Sequence, residues 1–245
     1  MQVWNRSLMA AAALLIIAVS VDNASGQTAK RTKRSPHPSF AAPVVDDTLP
    51  NVLLIGDSIS MGYTIAVRNE LIGEANVFRP LTNCGPTTRG LEGIEEWIAN
   101  RDWDVIHFNF GLHDLKYMGA DGSNLADPQD PTASQQVPIQ QYADNLRVIA
   151  QRLIQTGAIV IWRQTTPVPD GAKGRVAGDA VKYNQAAADV MAEFPSIQTD
   201  PFHSFALEIA DLQLKANVHY TPEGSSRLGK HVAELISEAL SQPAS

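Results

Sequence analysis

Strand-like runs separated by long helical patterns leave this chain very few ways to fold. Val52-Leu53-Leu54-Ile55 is a continuous apolar run, the pattern of a strand buried on both faces. Val105-Ile106-His107-Phe108-Asn109-Phe110 and Ala158 to Trp162 are two more strand candidates, and Asn76 to Arg79 and Ile197 to Thr199 are shorter ones. Between them lie helical periods. Ser60 to Ile72 has helical spacing, Leu91, Ile94, Trp97 and Ile98 mark one face, and Ile139, Tyr142, Leu146, Ile149 and Leu153 mark another. Gly157 stops that third helix. Val181 to Phe194 precedes Pro195, and Leu228, Val232, Leu235, Ile236 and Leu240 form the face of a last helix. Strands joined by crossovers of this length must run parallel, with right-handed connections. The expectation is an α/β fold: a three-layer α/β/α sandwich around a flavodoxin-like, doubly wound parallel sheet of about five strands.

The ends of the chain read differently. Met1 to Gly26 has the order of an export signal: Arg6 first, an apolar stretch from Leu8 to Val21, then Ala24-Ser25-Gly26. The apolar stretch is shorter than the roughly 20 residues a spanning helix needs, which favours a removed signal over a retained anchor. Residues 27–50 carry Lys30, Arg31, Lys33 and Arg34, then Pro36, Pro38 and Pro43, and are expected to be an unstructured linker. Residues 51–242 remain for one folded domain. The net charge of -7 and the lack of a basic stripe argue against nucleic acid as a partner. Cys84 is the one cysteine, so no internal disulfide can form, and it reads as a small buried residue. No His-Glu-x-x-His or paired-ligand spacing points to a metal, and Gly171, Gly174 and Gly178 do not form a phosphate cradle. No cofactor is implied.

Doubly wound sheets place their sites beyond the carboxyl ends of the strands. Gly56-Asp57-Ser58 follows the first strand, Asn83-Cys84-Gly85 the second, Gly111-Leu112-His113-Asp114 the third, and Thr165-Thr166-Pro167 the fourth. Gly119 to Pro138, rich in Gly, Asp, Pro and Gln, is expected to form an excursion at the rim. Ser58 on a sharp strand-to-helix turn suits a nucleophile, although a serine in that place also caps helices. Asp57 and Ser60 are alternative caps, and Asp57 reads as structural. A serine hydroxyl needs a base. His219, before the helix start Thr221-Pro222-Glu223-Gly224, is the candidate. His37 falls in the linker, His107 in a strand, and His203 lacks that helix start.

These blocks, in this order from Asn51 to about Leu240, resemble the SGNH hydrolases, the GDSL esterase/lipase superfamily. The resemblance implies a serine esterase with Ser58 as nucleophile, His219 as general base, and an oxyanion hole built from Ser58, Gly85 and the residue at 113. Asp57, Gly111 and Asp114 would shape the site loops. Two positions depart from the family pattern. The family's aspartate three residues before the histidine is Ala216 here, which leaves Asn217, Asp200, Asp211 or a backbone carbonyl to orient the ring. The family's oxyanion-hole asparagine is His113, either a substituted donor or a loop residue bonded to Asp114. Met61, Tyr63, Tyr117 and Met118 are candidates for a small acyl pocket. The activity implied is exported hydrolysis of short-chain esters, acetyl among them, on small-molecule or carbohydrate substrates, without membrane insertion once the signal is gone. A binding protein of the same fold with impaired chemistry, and an acyltransferase, are the rival readings.

Overall fold

A computed structural model describes residues 36–242. The expected signal at 1–26 and residues 27–35 of the linker lie outside the described residues. Five strands and six helices carry the domain. In chain order they are β1 (Asn51–Ile55), α1 (Ser58–Glu70), β2 (Asn76–Phe78), α2 (Thr87–Ile98) and β3 (Val105–Phe108). After a two-stranded rim ribbon, β4 (Tyr117–Met118) and β5 (Ser134–Gln135), come α3 (Ile139–Ile154), β6 (Ile159–Arg163), α4 (Asp179–Met191), β7 (Gln198–Asp200), α5 (Phe202–Glu208) and α6 (Pro222–Ser241).

The main sheet is wholly parallel, in the order β2-β1-β3-β6-β7. The order of the strands reverses across the sheet between β1 and β3, the place where sheets of this kind ordinarily bind ligands. Helices α1 and α6 pack together, while α2, α3 and α4 pack in sequence. With helices on both faces of the sheet, the molecule is a three-layer α/β/α sandwich of the expected kind.

The core explains the strand pattern. Val52, Leu53, Leu54 and Ile55 are each at most 1% exposed, because β1 is an interior strand, between β2 and β3, covered on both faces. His107 sits in β3 opposite Leu54 of β1 and is fully buried. Its Nε2 lies 3.0 Å from Asp200 Oδ2, and His231 Nε2 lies 2.8 Å from Asp200 Oδ1. Burial pushes the His107 pKa below its usual value, against the raising effect of the Asp200 hydrogen bond. The neutral ring therefore donates from Nε2, and its unpartnered Nδ1 is an acceptor rather than an orphaned donor.

Three expectations need correction. Residues 36–50 are not an unstructured linker. Asn76 Nδ2 donates to the carbonyls of Asp46 and Leu49, at 2.8 and 3.1 Å, and Arg68 Nη1 donates to Ala41 O at 2.8 Å. These side chains belong to the domain, so the segment's own composition could not show that it is pinned. Helix α5 was not expected; seven residues are too few for a periodic signal. The third strand ends at Phe108, two residues early, because Asn109 turns its side chain inward to the carbonyl of Arg163 at 2.8 Å. No helix among the described residues is long and apolar enough to cross a membrane.

Candidate active site

The loops beyond the carboxyl ends of the strands collect the expected residues. After Ile55 the chain passes Gly56, where a Cβ would stand 2.9 Å from Ser60 Oγ, so only glycine fits without a shift. Asp57 then caps α1, its Oδ1 accepting from Ile59 N at 2.9 Å. Capping therefore falls to Asp57, and Ser58, the first helical residue, keeps its hydroxyl free for other partners. Ser58 Oγ lies 2.8 Å from His219 Nε2, across 161 positions of sequence.

His219 is presented by a tight loop. Leu214 N donates to His219 O at 2.9 Å, and Asn217 N donates to Leu214 O at 3.1 Å. Thr221 then caps α6 through Gly224 N at 3.0 Å, with Pro222 in the first turn. The loop bends at Ala216, whose φ of 51° is left-handed. A non-glycine residue there costs about 1 kcal/mol. The bend brings Asn217 under the ring.

Asn217 settles the orientation of the histidine. Its Oδ1 lies 3.1 Å from the His219 backbone nitrogen and 2.8 Å from Nδ1. A backbone N–H can only donate, so the amide atom facing it is oxygen. That oxygen accepts from Nδ1–H as well. The proton is therefore on Nδ1, and Nε2 presents a lone pair to the Ser58 hydroxyl. Of the acceptors left open by the sequence, Asn217 is the one that reaches the ring. Asp200 is buried between His107 and His231, and Asp211 lies in a short helical turn at Ala210–Leu212 without a bond to His219. Desolvation is the main influence on His219 and lowers its pKa; the charge of Asp57 opposes this and that of Arg175 adds to it. The ring is neutral at pH 7 and able to accept a proton.

The anion-stabilising side is more mixed. The N–H of Ser58, in the first turn of α1, has no intrahelical acceptor and lies at the positive end of the helix. Gly85, at φ 64°, does not hold its N–H free as expected: it donates to Asn83 Oδ1 at 3.0 Å in a local turn. His113 is half-buried, and burial lowers its pKa, so its ring is neutral. It does not bond to Asp114. Asp114 Oδ1 instead accepts from Thr87 N and Thr87 Oγ1, at 2.8 and 2.6 Å, tying the β3 loop to the start of α2. Gly111, at φ 153°, lies so close to Thr165 that a Cβ would come within 2.0 Å of Thr165 Oγ1.

Of the proposed acyl-pocket residues, Met61, Tyr117 and Met118 are half-buried, but Tyr63 is not at the site rim. It is 1% exposed and packs against Phe202, with ring centroids 6.0 Å apart. Cys84 is buried and its thiol is pushed up to about 11 by desolvation, which leaves it inert. Two residues were missed in the sequence. Arg175 Nε donates to Leu112 O at 3.0 Å, one residue from His113, and Lys116 follows His113 by three positions. The signal was present in Gly171 and Gly174, whose φ angles of 75° and 63° shape the loop that carries Arg175.

A family model described as GDSL-like lipase/acylhydrolase matches residues 52–232. No curated protein matches the sequence. Among solved structures, the fold is similar to a lipase/acylhydrolase from Enterococcus faecalis, with a TM-score of 0.61 at 17% identity over 77% of this chain and 96% of that one. It is also similar to an acetylxylan esterase from Geobacillus stearothermophilus, at 0.59 and 14% over 76% and 94%. A further acetyl xylan esterase gives 0.59 and 12% over 76% and 99%. At such identities the likeness is one of fold.

Proposed function

This chain belongs to the GDSL-like lipase/acylhydrolase family, and on that premise we propose that it is an exported serine esterase acting on short-chain, chiefly acetyl, esters of carbohydrates. The observation that carries the reading is the relay from Ser58 Oγ to His219 Nε2 and from His219 Nδ1 to Asn217 Oδ1, each contact 2.8 Å.

In this reading Ser58 Oγ attacks the ester carbonyl while His219 Nε2 takes its proton. The negative charge that develops on the carbonyl oxygen meets the Ser58 N–H, the N-terminus of α1 and the neutral His113 ring. His219 returns the proton to the departing alcohol, leaving the acyl group on Ser58. Water, activated by the same imidazole, then releases the acid. Asn217 holds the ring as a carboxylate would but gives the imidazolium no opposing charge. Rotation of the Asn83 side chain would free the Gly85 N–H as a further donor. Acetyl is favoured because Tyr63 belongs to the core, leaving the half-buried Met61, Tyr117 and Met118 as the apolar candidates. Carbohydrate is favoured by the acetylxylan esterases among the structures of like fold. Export is supported by the composition of residues 1–26.

A saccharide-binding protein with weak chemistry is the second reading, favoured by the uncharged Asn217 and the engaged Gly85 N–H. Acetate release from an acetylated xylo-oligosaccharide separates the two. Esterase function predicts turnover that falls about 10³-fold or more in Ser58→Ala and in His219→Ala. Release that is absent from the folded wild-type protein, or unchanged in Ser58→Ala, contradicts it.

A further inference from the structure

The loop after β6 runs along both sides of the candidate site. At Gly171 an added Cβ would touch the Ala216 side chain at 3.4 Å, beside the turn that presents His219. Three residues on, Gly174 O accepts from Tyr117 N at 2.8 Å, and Arg175 Nε is held on Leu112 O. Arg175 is thereby tied to the loop of His113, on a segment whose Gly171 passes beside the loop of His219. It also lines a groove of about 610 Å³ walled by residues 125–129 and 171–176.

Arg175 and Lys116 share a condition that the buried Arg79 and Arg163 also show. Neither forms an ion pair among the described residues, although the chain is acidic overall. Lys116 is only 8% exposed. Asp57 bears on Arg175, and Asp114 bears on Lys116; each acid holds one oxygen on a backbone N–H, of Ile59 and of Thr87, and keeps its other oxygen buried without a hydrogen-bond partner. Asp127 also lines the groove and accepts from Gln129 N at 2.9 Å without pairing with Arg175. Two cations thus sit near each other without a direct ion pair, and both charges reach His113, as does that of Asp57. Burial pushes the pKa of each below its ordinary value, as expected for cations that fold without an acid partner. Such an arrangement costs stability unless something negative completes it. A guanidinium already fixed through Nε still offers its Nη donors, which suit a two-oxygen anion.

We infer that the site selects anionic substrates: acylated saccharides carrying an acidic group that Arg175 and Lys116 bind while the ester lies at Ser58. The inference deepens the esterase reading and rests on it for the word substrate, but the anion site itself can be tested without turnover. The test uses full-length Ser58→Ala protein and three probes: an acetylated methyl glucuronoside, the matching neutral glucoside, and a sulfated form of that glucoside. Calorimetric titration is expected to show about tenfold or tighter binding of at least one anionic probe over the neutral one. That ratio should shrink as salt is raised and fall severalfold in Arg175→Gln and in Lys116→Gln, each made in the Ser58→Ala background. The tighter of the two anions identifies the acidic group. Equal binding of all three probes, or a preference unchanged in both charge variants, overturns the inference. Wild-type protein that hydrolyses none of the probes while the binding preference persists would instead remove the esterase reading and leave the anion site standing.

Discussion

At the scale of single residues, the proposed chemistry turns on how Asn217 holds His219. One amide oxygen accepts from both the backbone and the ring of the same histidine, so a single side chain fixes the ring's rotation and its tautomer. Removing it should cost both. Asn217→Ala is expected to lower kcat by about 10²-fold or more, with little change in KM, measured by initial rates of acetate release. A rate within twofold of wild type would show that the ring is oriented by something else. Asn217→Asp keeps an acceptor in place and adds a negative charge. The base must be neutral to work, and the new charge raises the His219 pKa. The acidic limb of the kcat/KM profile should therefore move to higher pH; a limb that stays put or moves down contradicts this assignment. The sequence left four acceptors open because the choice depends on the left-handed turn at Ala216. No hydrophobic period or motif marks that turn, and alanine is not a residue that advertises it.

Elements place these residues, and the loop leaving β3 is the least tolerant of them. Gly111 combines a positive φ with an approach to Thr165 that leaves no room for a methyl group. Thr165 Oγ1 is itself held, donating to Phe110 O at 3.0 Å and accepting from Asn109 Nδ2 at 3.1 Å. It cannot step aside without breaking both bonds. Gly111→Ala should destabilise the domain by about 2–4 kcal/mol in urea denaturation. A loss under about 1 kcal/mol would mean the two loops yield more easily than their bonds suggest. The strands and long helices were legible because burial on both faces of a parallel sheet leaves runs such as Val52 to Ile55, and one buried face leaves the spacing of Tyr142, Leu146 and Ile149. Residues 36–50 and α5 were not, since their order comes from partners distant in sequence: Asn76 and Arg68 for the first, the core contacts of Phe202 for the second. Arg175 was missed for the same reason, its anchor being a backbone carbonyl 63 positions away.

For the molecule as a whole, ionisable groups buried near the sheet make stability depend on pH. Desolvation is the main influence on Asp114 and raises it to about 7, above the 3.8 of an exposed aspartate, with the Thr87 bonds opposing it. A carboxyl raised in this way favours the folded state while protonated. Its contribution is present at low pH and is lost as pH rises from about 3.8 through about 7. Asp114→Asn removes that titration while leaving an oxygen for Thr87. The melting temperature of Asp114→Asn relative to wild type should therefore climb between pH 4 and pH 8. A difference that is flat across that range, or that falls, would show that Asp114 does not titrate as its surroundings require. His107 acts in the opposite sense: held neutral by burial, it withdraws stability as pH drops below 6.5. The fold class and the order of the four site blocks could be read from the chain. The charge balance could not, since it depends on which acids already have partners.

The central claim is that the Ser58 hydroxyl is made reactive by His219, and covalent labelling tests it most directly. Full-length protein treated with a fluorophosphonate, digested and mapped by mass spectrometry should carry one adduct, on Ser58, with labelling slowed at least about 10²-fold in His219→Ala. Folded protein that resists labelling, or labels at Ser58 equally fast without the His219 imidazole, would contradict it.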